Sequence, residues 1–272
     1  MSSSNAPQIT IRMTVDQLTV ITAATRRDLG QLAARDVADR LAAAIEARGT
    51  ANLVVATGNS QLDFIVALVE IMPDWSKINV FHQDEYVGIS AQHSASFRRW
   101  TADYVLDHVT PLGWYPINGD DAQGPAAEAA RYAELLAQMR PDVTVIGIGE
   151  NSHIAFNDPP ADTTTTALVH VVRLDEVCRR QQVGEGHFPT VDDVPREAIS
   201  LTIAGLLWSH HLVAVVPEFR KALAVRCALE APISPRCPAS LLRTTDRVTV
   251  YLDAESSSLL DPQFEGSSRA AG

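Results

Sequence analysis

Short runs of apolar, mostly β-branched residues recur along this chain between longer stretches in which apolar residues return every third or fourth position. The short runs are NLVVAT (52–57), INVFH (78–82), VTVIGI (143–148), LVHVV (168–172), LVAVV (212–216) and RVTVYL (247–252). Apolar runs of that length predict strands buried on both faces. The longer stretches, 29–47, 60–71, 94–106, 126–139, 197–209 and 220–230, carry the spacing of amphipathic helices. Strand alternates with helix, which predicts βαβ units and an α/β fold with a doubly wound, mainly parallel sheet between two helical layers. A single domain over 1–272 is expected, with its core at about 30–260 and frayed ends.

Composition narrows the partners. The 272 residues are 46% hydrophobic and 20% charged, and 22 Lys+Arg against 33 Asp+Glu leave a net charge of −11. That balance argues against a general nucleic-acid or anionic-membrane surface and favours small molecules. No apolar run reaches the roughly 18 residues of a membrane span. The start, MSSSNAPQITIRM, has no basic stretch followed by an apolar block, so a cytoplasmic location is expected. Cys178, Cys227 and Cys237 are widely spaced with no CxxC pair, and read as reduced thiols in or near the core. Residues 179–193 are polar, with two glycines, and form a candidate mobile loop.

In doubly wound sheets ligands sit beyond the carboxyl ends of the strands, so the chemistry is sought there. After the first central run come Thr57, Gly58, Asn59 and Ser60. Small and hydroxyl residues in a strand-to-helix turn suit a phosphate, which backbone N–H groups and the helix dipole attract; an ordinary helix cap has the same composition. The second run leads into Asp84 and Glu85. Adjacent carboxylates at the end of a buried strand must be hydrogen-bonded or used, and a strand-end Asp is a natural proton shuttle; the alternative is a capped loop facing solvent. His82, Asp84, Glu85 and His93 match no standard metal-ligand spacing, so no metal is expected. The third run ends in two glycines, then Asn151, His153 and Asp158. A carboxylate near an imidazole suits acid–base work near neutral pH, although a lone histidine also serves as a structural residue.

Together these segments resemble the glucosamine-6-phosphate deaminase (isomerase) family, which is related to the 6-phosphogluconolactonases, over roughly residues 30–260. ATGNS at 56–60 is similar to the family's phosphate turn, DEYVG at 84–88 is the family's motif as written, and GIGENSHIAFNDP at 147–159 resembles its G-x-G-x-D/N-G-H-I-x-F-N-E-P. Lys221-Ala222-Leu223 resembles the family's lysine at a helix start, and Pro238 to Leu242 its closing helix start. The HIAFN spelling resembles the deaminase branch, since related lactonases carry an HTASLFP-like sequence there.

The resemblance implies the α/β fold of that family and a reaction that opens an amino-sugar phosphate ring, moves a proton between C2 and C1, and expels ammonia to leave a ketose phosphate. It implies no metal or organic cofactor, a sugar-phosphate partner, and a homo-oligomer. By position, Asp84 matches the proton-shuttling carboxylate, His153 the residue that assists ring opening, and Thr57, Gly58, Asn59, Ser60 and Lys221 the phosphate site. Arg179 or Arg180 stands in for the family's phosphate-binding arginine, and Glu85 supports the base or binds substrate. Asn151 replaces an Asp found in many members; an amide orients an imidazole but adds no stabilising charge. Asp158 stands where the family has Glu, a retreat of about 1 Å, and Ser152 replaces a turn glycine. Rival readings are a sugar-phosphate lactonase, an isomerase without deamination, and a sugar-phosphate sensor that has lost its chemistry.

Overall fold

The structure is a computed structural model that describes residues 6–72, 74–184 and 186–262. The chain opens with an antiparallel hairpin, β1 (Ile9–Val15) and β2 (Leu18–Ala23), then α1 (Arg26–Arg48) and β3 (Ala51–Val55). Thr25 starts α1 by accepting a hydrogen bond from the Asp28 amide at 3.1 Å, an ordinary N-cap. Next come α2 (Leu62–Ile71), β4 (Ile78–His82), β5 (Asp84–Tyr86), α3 (Phe97–Thr101), β6 (Gly113–Tyr115), α4 (Pro125–Gln138) and β7 (Val143–Ile146). The last third holds β8 (Val169–Arg173), α5 (Glu176–Gly184), β9 (Glu197–Leu201), α6 (Ile203–Leu207), β10 (His211–Val216), α7 (Ala222–Glu230) and β11 (Val248–Leu252).

Eight strands form the main sheet in the order β1-β2-β11-β10-β7-β3-β4-β6, parallel except for the β1/β2 pair. Alternate residues of its buried strands face opposite layers. Leu53 and Val55 belong to the apolar layer that also holds Val37, Leu41, Phe64 and Ile65 of α1 and α2, whereas Val54 belongs to the layer on the other face, with Tyr132 of α4 and Val225 of α7. From β3 the chain steps outward to β4 and β6, then returns to β7 on the other side of β3 and continues outward to β10 and β11. The switch in direction between β3 and β7 is where such sheets open a binding crevice.

Four sequence expectations need correction. Residues 9–23, left outside the expected core of about 30–260, form the hairpin that extends the sheet beyond β11. The 168–172 run is a strand but not part of the parallel sheet: β8 joins β5 and β9 in a separate antiparallel sheet, order β5-β9-β8. The helix expected over 197–209 is split. Residues 197–201 pair on both sides as β9, and Thr202 caps the short α6 by accepting from the Gly205 amide. Both periods fit EAISLTIAGLL, and the partners available on either side decide for the strand. The expected 94–106 helix begins at Phe97 and passes into a π-turn at Ala102–Leu106.

Cys178, Cys227 and Cys237 are all free thiols, the first and last buried. No helix among the described residues is long and apolar enough to cross a membrane.

Candidate active site

The carboxyl ends of β3, β4, β7 and β10 open into one cleft, at the place where ligands sit in sheets of this kind. Two of its walls are built alike. Beyond β3, Gly58 takes φ 100°, ψ 167°, a conformation essentially reserved for glycine, and leads into a 3₁₀ turn at Asn59–Gln61 and then α2. Beyond β10, Glu218 takes φ 82°, ψ 140° and leads into a 3₁₀ turn at Phe219–Lys221 and then α7. Because β3 and β10 both flank β7, these turns face each other across its end. The Gln61 amide donates to the Val215 carbonyl at 3.1 Å and so stitches them together. Thr57, Gly58, Asn59, Ser60, Arg220 and Lys221 all line the cleft, with Lys221 only 5% exposed.

Asp84 and Glu85, adjacent in β5, point to opposite sides as strand residues must. Asp84 lines the cleft at 7% exposure. Burial there, with the neighbouring Glu85 charge second, pushes its carboxyl from 3.8 up to about 8. Glu85 turns away and is fully buried. It accepts from Ser96 Oγ at 2.6 Å, the amides of Phe97 and Arg98 at 3.2 and 3.0 Å, and Arg98 Nε at 3.3 Å. Those two amides are the first donors of α3, so a carboxylate from a distant strand caps this helix and sets its start at Phe97. Burial raises the Glu85 proton affinity while these donors oppose it. Glu85 therefore supports the strand that carries Asp84 and does not line the cleft.

His153 sits in a tight loop beyond β7. Gly149 is required there by close approach: a Cβ on it would lie 2.1 Å from the His153 ring. Ser152, in place of the expected glycine, adopts φ 68° and is buried, its hydroxyl turned onto the Asn151 carbonyl. Asn151 Oδ1 accepts from His153 Nδ1 at 2.6 Å, and Asn151 Nδ2 donates to Asp158 Oδ1 at 3.0 Å. That network assigns the hydrogen to Nδ1 and leaves Nε2 as the ring's acceptor. Asp158 Oδ1 is also 3.4 Å from His153 Nδ1, so the charge that the amide lacks is supplied from one residue further out.

The structure does not bring every expected residue to the cleft. Arg179 is buried and donates to the carbonyls of Val191 and Val194, and Arg180 pairs with Glu176 along α5. Arg220 is the arginine that lines the cleft, beside Lys221. It was hidden in sequence because its own neighbour already occupied the expected cationic position. Gln83, Phe97, Phe156, Gln182 and His187 also line the cleft and had no sequence signal. The expected mobile loop is largely folded: residues up to 184 belong to α5, Gln182 accepts from the Tyr86 hydroxyl at 2.7 Å, and Phe188 and Val194 pack with Tyr86 in a third apolar cluster. His82, Asp84, Glu85 and His93 do not converge, since no group of three or more metal-binding side chains occurs among the described residues. His82 is buried, with Nε2 accepting from the Ile117 amide at 2.7 Å.

Residues 24–251 match the family described as glucosamine-6-phosphate isomerases/6-phosphogluconolactonase. The chain belongs to this family. Its curated relatives include glucosamine-6-phosphate deaminases of Exiguobacterium sibiricum, 35% identical over 80% of this chain and 84% of the relative, and of Streptococcus pyogenes serotype M1, 34% identical over 79% and 90%. Among solved structures, a monomeric glucosamine-6-phosphate deaminase superposes with a TM-score of 0.80 at 31% identity, over 88% of this chain and 99% of that one. A 6-phosphogluconolactonase from Shewanella baltica shares the fold, with a TM-score of 0.72 at 23% identity over 91% and 100%. The family segment begins just before α1, so the β1–β2 hairpin precedes it.

Proposed function

We propose that this protein is a glucosamine-6-phosphate deaminase of the isomerising kind. The observation that carries the reading is a single cleft that joins a buried carboxyl of raised proton affinity, an oriented imidazole and a cationic double turn. The 57–60 turn, Lys221 and Arg220 receive the phosphate; the overall charge of −11 is no obstacle, because the field that matters is local. His153 Nε2 relays the proton of the anomeric hydroxyl to the ring oxygen, opening the ring to the aldehyde, while Asp158 steadies the transient imidazolium. Ionised Asp84 then takes the C2 proton and returns it to C1 while a second proton passes from the substrate nitrogen to O1, so that the amino aldehyde becomes an imine at C2 with a hydroxyl on C1. Water adds to that imine, ammonia leaves, and the ketose phosphate remains. Three widely spaced cysteines without a CxxC pair fit a cytoplasmic location.

The test is incubation of the purified protein with glucosamine 6-phosphate, measuring ammonia and fructose 6-phosphate together. The reading requires both in equal amounts. Neither product, with the folded protein still stabilised by the sugar phosphate, would replace the enzyme by a sensor, and faster hydrolysis of 6-phosphogluconolactone than its spontaneous rate would replace the reaction.

A further inference from the structure

The two turns that form the cationic wall belong to strands that are not hydrogen-bonded to each other, so the sheet ladder alone does not set the distance between them. Besides the Gln61 amide, which reaches from the first turn to β10, a second side chain spans the gap and reaches the second turn itself. Arg26, the first residue of α1, donates through Nη2 to the Asn59 carbonyl at 2.6 Å, through Nη1 to Glu218 Oε1 at 2.5 Å, and through Nε to Asp63 on α2. Each contact lands on a different part: the first turn, the second turn, and the helix behind the first. Glu218 passes the tie on, because its other carboxylate oxygen accepts from Arg220 Nε at 2.5 Å. Its backbone lies in a region that residues with side chains avoid. Its amide donates to Asp253 at 3.0 Å, so main chain and side chain are both held in place. A glycine would adopt this turn without strain, yet would leave Arg26 and Arg220 unconnected.

We propose that Arg26 and Glu218 are positioning residues for phosphate: through an Arg26–Glu218–Arg220 relay they fix the spacing of the two turns and aim Arg220 into the cleft. The inference rests on the sugar-phosphate reading above. A guanidinium suits the role because its planar fork serves three acceptors at once, which an ammonium on a flexible stem does not. Asp63 and Glu218 also neutralise Arg26, so it acts by geometry and not as a further phosphate cation.

The experiment compares the wild type with Arg26→Ala, Arg26→Lys, Glu218→Gln, Glu218→Gly and the Arg26→Ala/Glu218→Gln double variant. The readouts are thermal protection by inorganic phosphate, and KM and kcat for glucosamine 6-phosphate. Each single variant should weaken phosphate protection and raise KM about tenfold, with the loss in KM and not in kcat. The double variant should cost no more than either single one, since both break one relay. Glu218→Gly relieves the strained turn, so it should melt no lower than the wild type in the absence of phosphate while showing the same loss, which separates the relay from folding. Unchanged phosphate affinity in the folded variants, or restoration by Arg26→Lys, would overturn the proposal. Phosphate protection is read without turnover, so a wild type that binds phosphate but releases no ammonia removes the reaction and leaves the relay to be judged by its own variants. A wild type that phosphate does not protect overturns the relay as well.

Discussion

Replacing Asp84 by Asn separates the two consequences of burying a carboxyl at the bottom of the cleft. Burial and the Glu85 charge raise its proton affinity from an ordinary 3.8 to about 8. That displacement of about four decades corresponds to about 6 kcal/mol at full desolvation. Between roughly pH 4 and pH 8 the folded chain holds a proton that the unfolded chain has released, so stability falls as pH rises through this window and levels off above it. Water entering the open cleft relieves part of the cost, which leaves about 2–5 kcal/mol at pH 9. An Asn side chain is nearly isosteric and never ionises. The variant should therefore melt like the wild type near pH 4 and above it by a growing margin, about 5–15 °C at pH 9, at roughly 2–4 °C per kcal/mol for a chain of this class. The same variant should lose turnover by about a thousandfold, because an amide accepts no proton from C2. In the wild type, kcat/KM should rise with pH through about 8, as the free enzyme's base ionises. Differential scanning calorimetry from pH 4 to 9, paired with ammonia release, reads both. A variant whose melting follows the wild-type curve at every pH refutes the desolvation argument, and one that retains turnover refutes the proton shuttle.

Glu85→Gln strips a buried acceptor from Arg98, Ser96 and the start of α3, and should cost about 3 kcal/mol in denaturant unfolding. In whatever fraction folds, the acid limb of kcat/KM should move to lower pH, because the second cause of the raised Asp84 affinity is gone; an unmoved limb contradicts that coupling. Asn151→Leu removes the acceptor that fixes the His153 Nδ1 hydrogen, and should lower kcat at least a hundredfold with little change in KM, as expected for a misoriented imidazole. Gly149→Ala places a methyl 2.1 Å from the His153 ring and must displace it, so kcat should fall more than about tenfold while the melting temperature changes modestly; full activity would show that the ring does not work from this position.

The legible parts of the site were those in which one short segment carries both backbone shape and chemistry. Thr57 to Ser60, Asp84, and the Asn151–His153–Asp158 group each follow a buried strand, and the structure delivers all of them except Asp158 and Asn151 to the lining itself, those two standing directly behind His153. The illegible parts depend on contacts between remote segments. Glu85 looks like a partner for Asp84 in sequence, but the period of two in a strand turns it to the other side, where it caps a helix eleven residues on. Arg179 and Arg180 lie in a polar stretch that reads as a loop, yet α5 directs one to backbone carbonyls and the other to Glu176.

By itself, the sequence determined five strands of the main sheet and a sixth that lies outside it, the main helices flanking the sheet, and most of the side chains that line the cleft. Those features are local: strands buried on both faces must be continuous apolar runs, and turns that approach a ligand closely must be small or polar. Tertiary structure alone decided whether 197–201 would be helix or strand, where the 9–23 hairpin and the 168–172 strand would pair, and which arginine would face the cleft. It also decided the proton affinity of Asp84 and the reach of Arg26 across two turns. Each of these is set by what lies opposite in space. Strand pairing, desolvation and a three-pronged guanidinium contact all draw on groups tens to nearly two hundred residues apart, and no pattern along the chain encodes that distance.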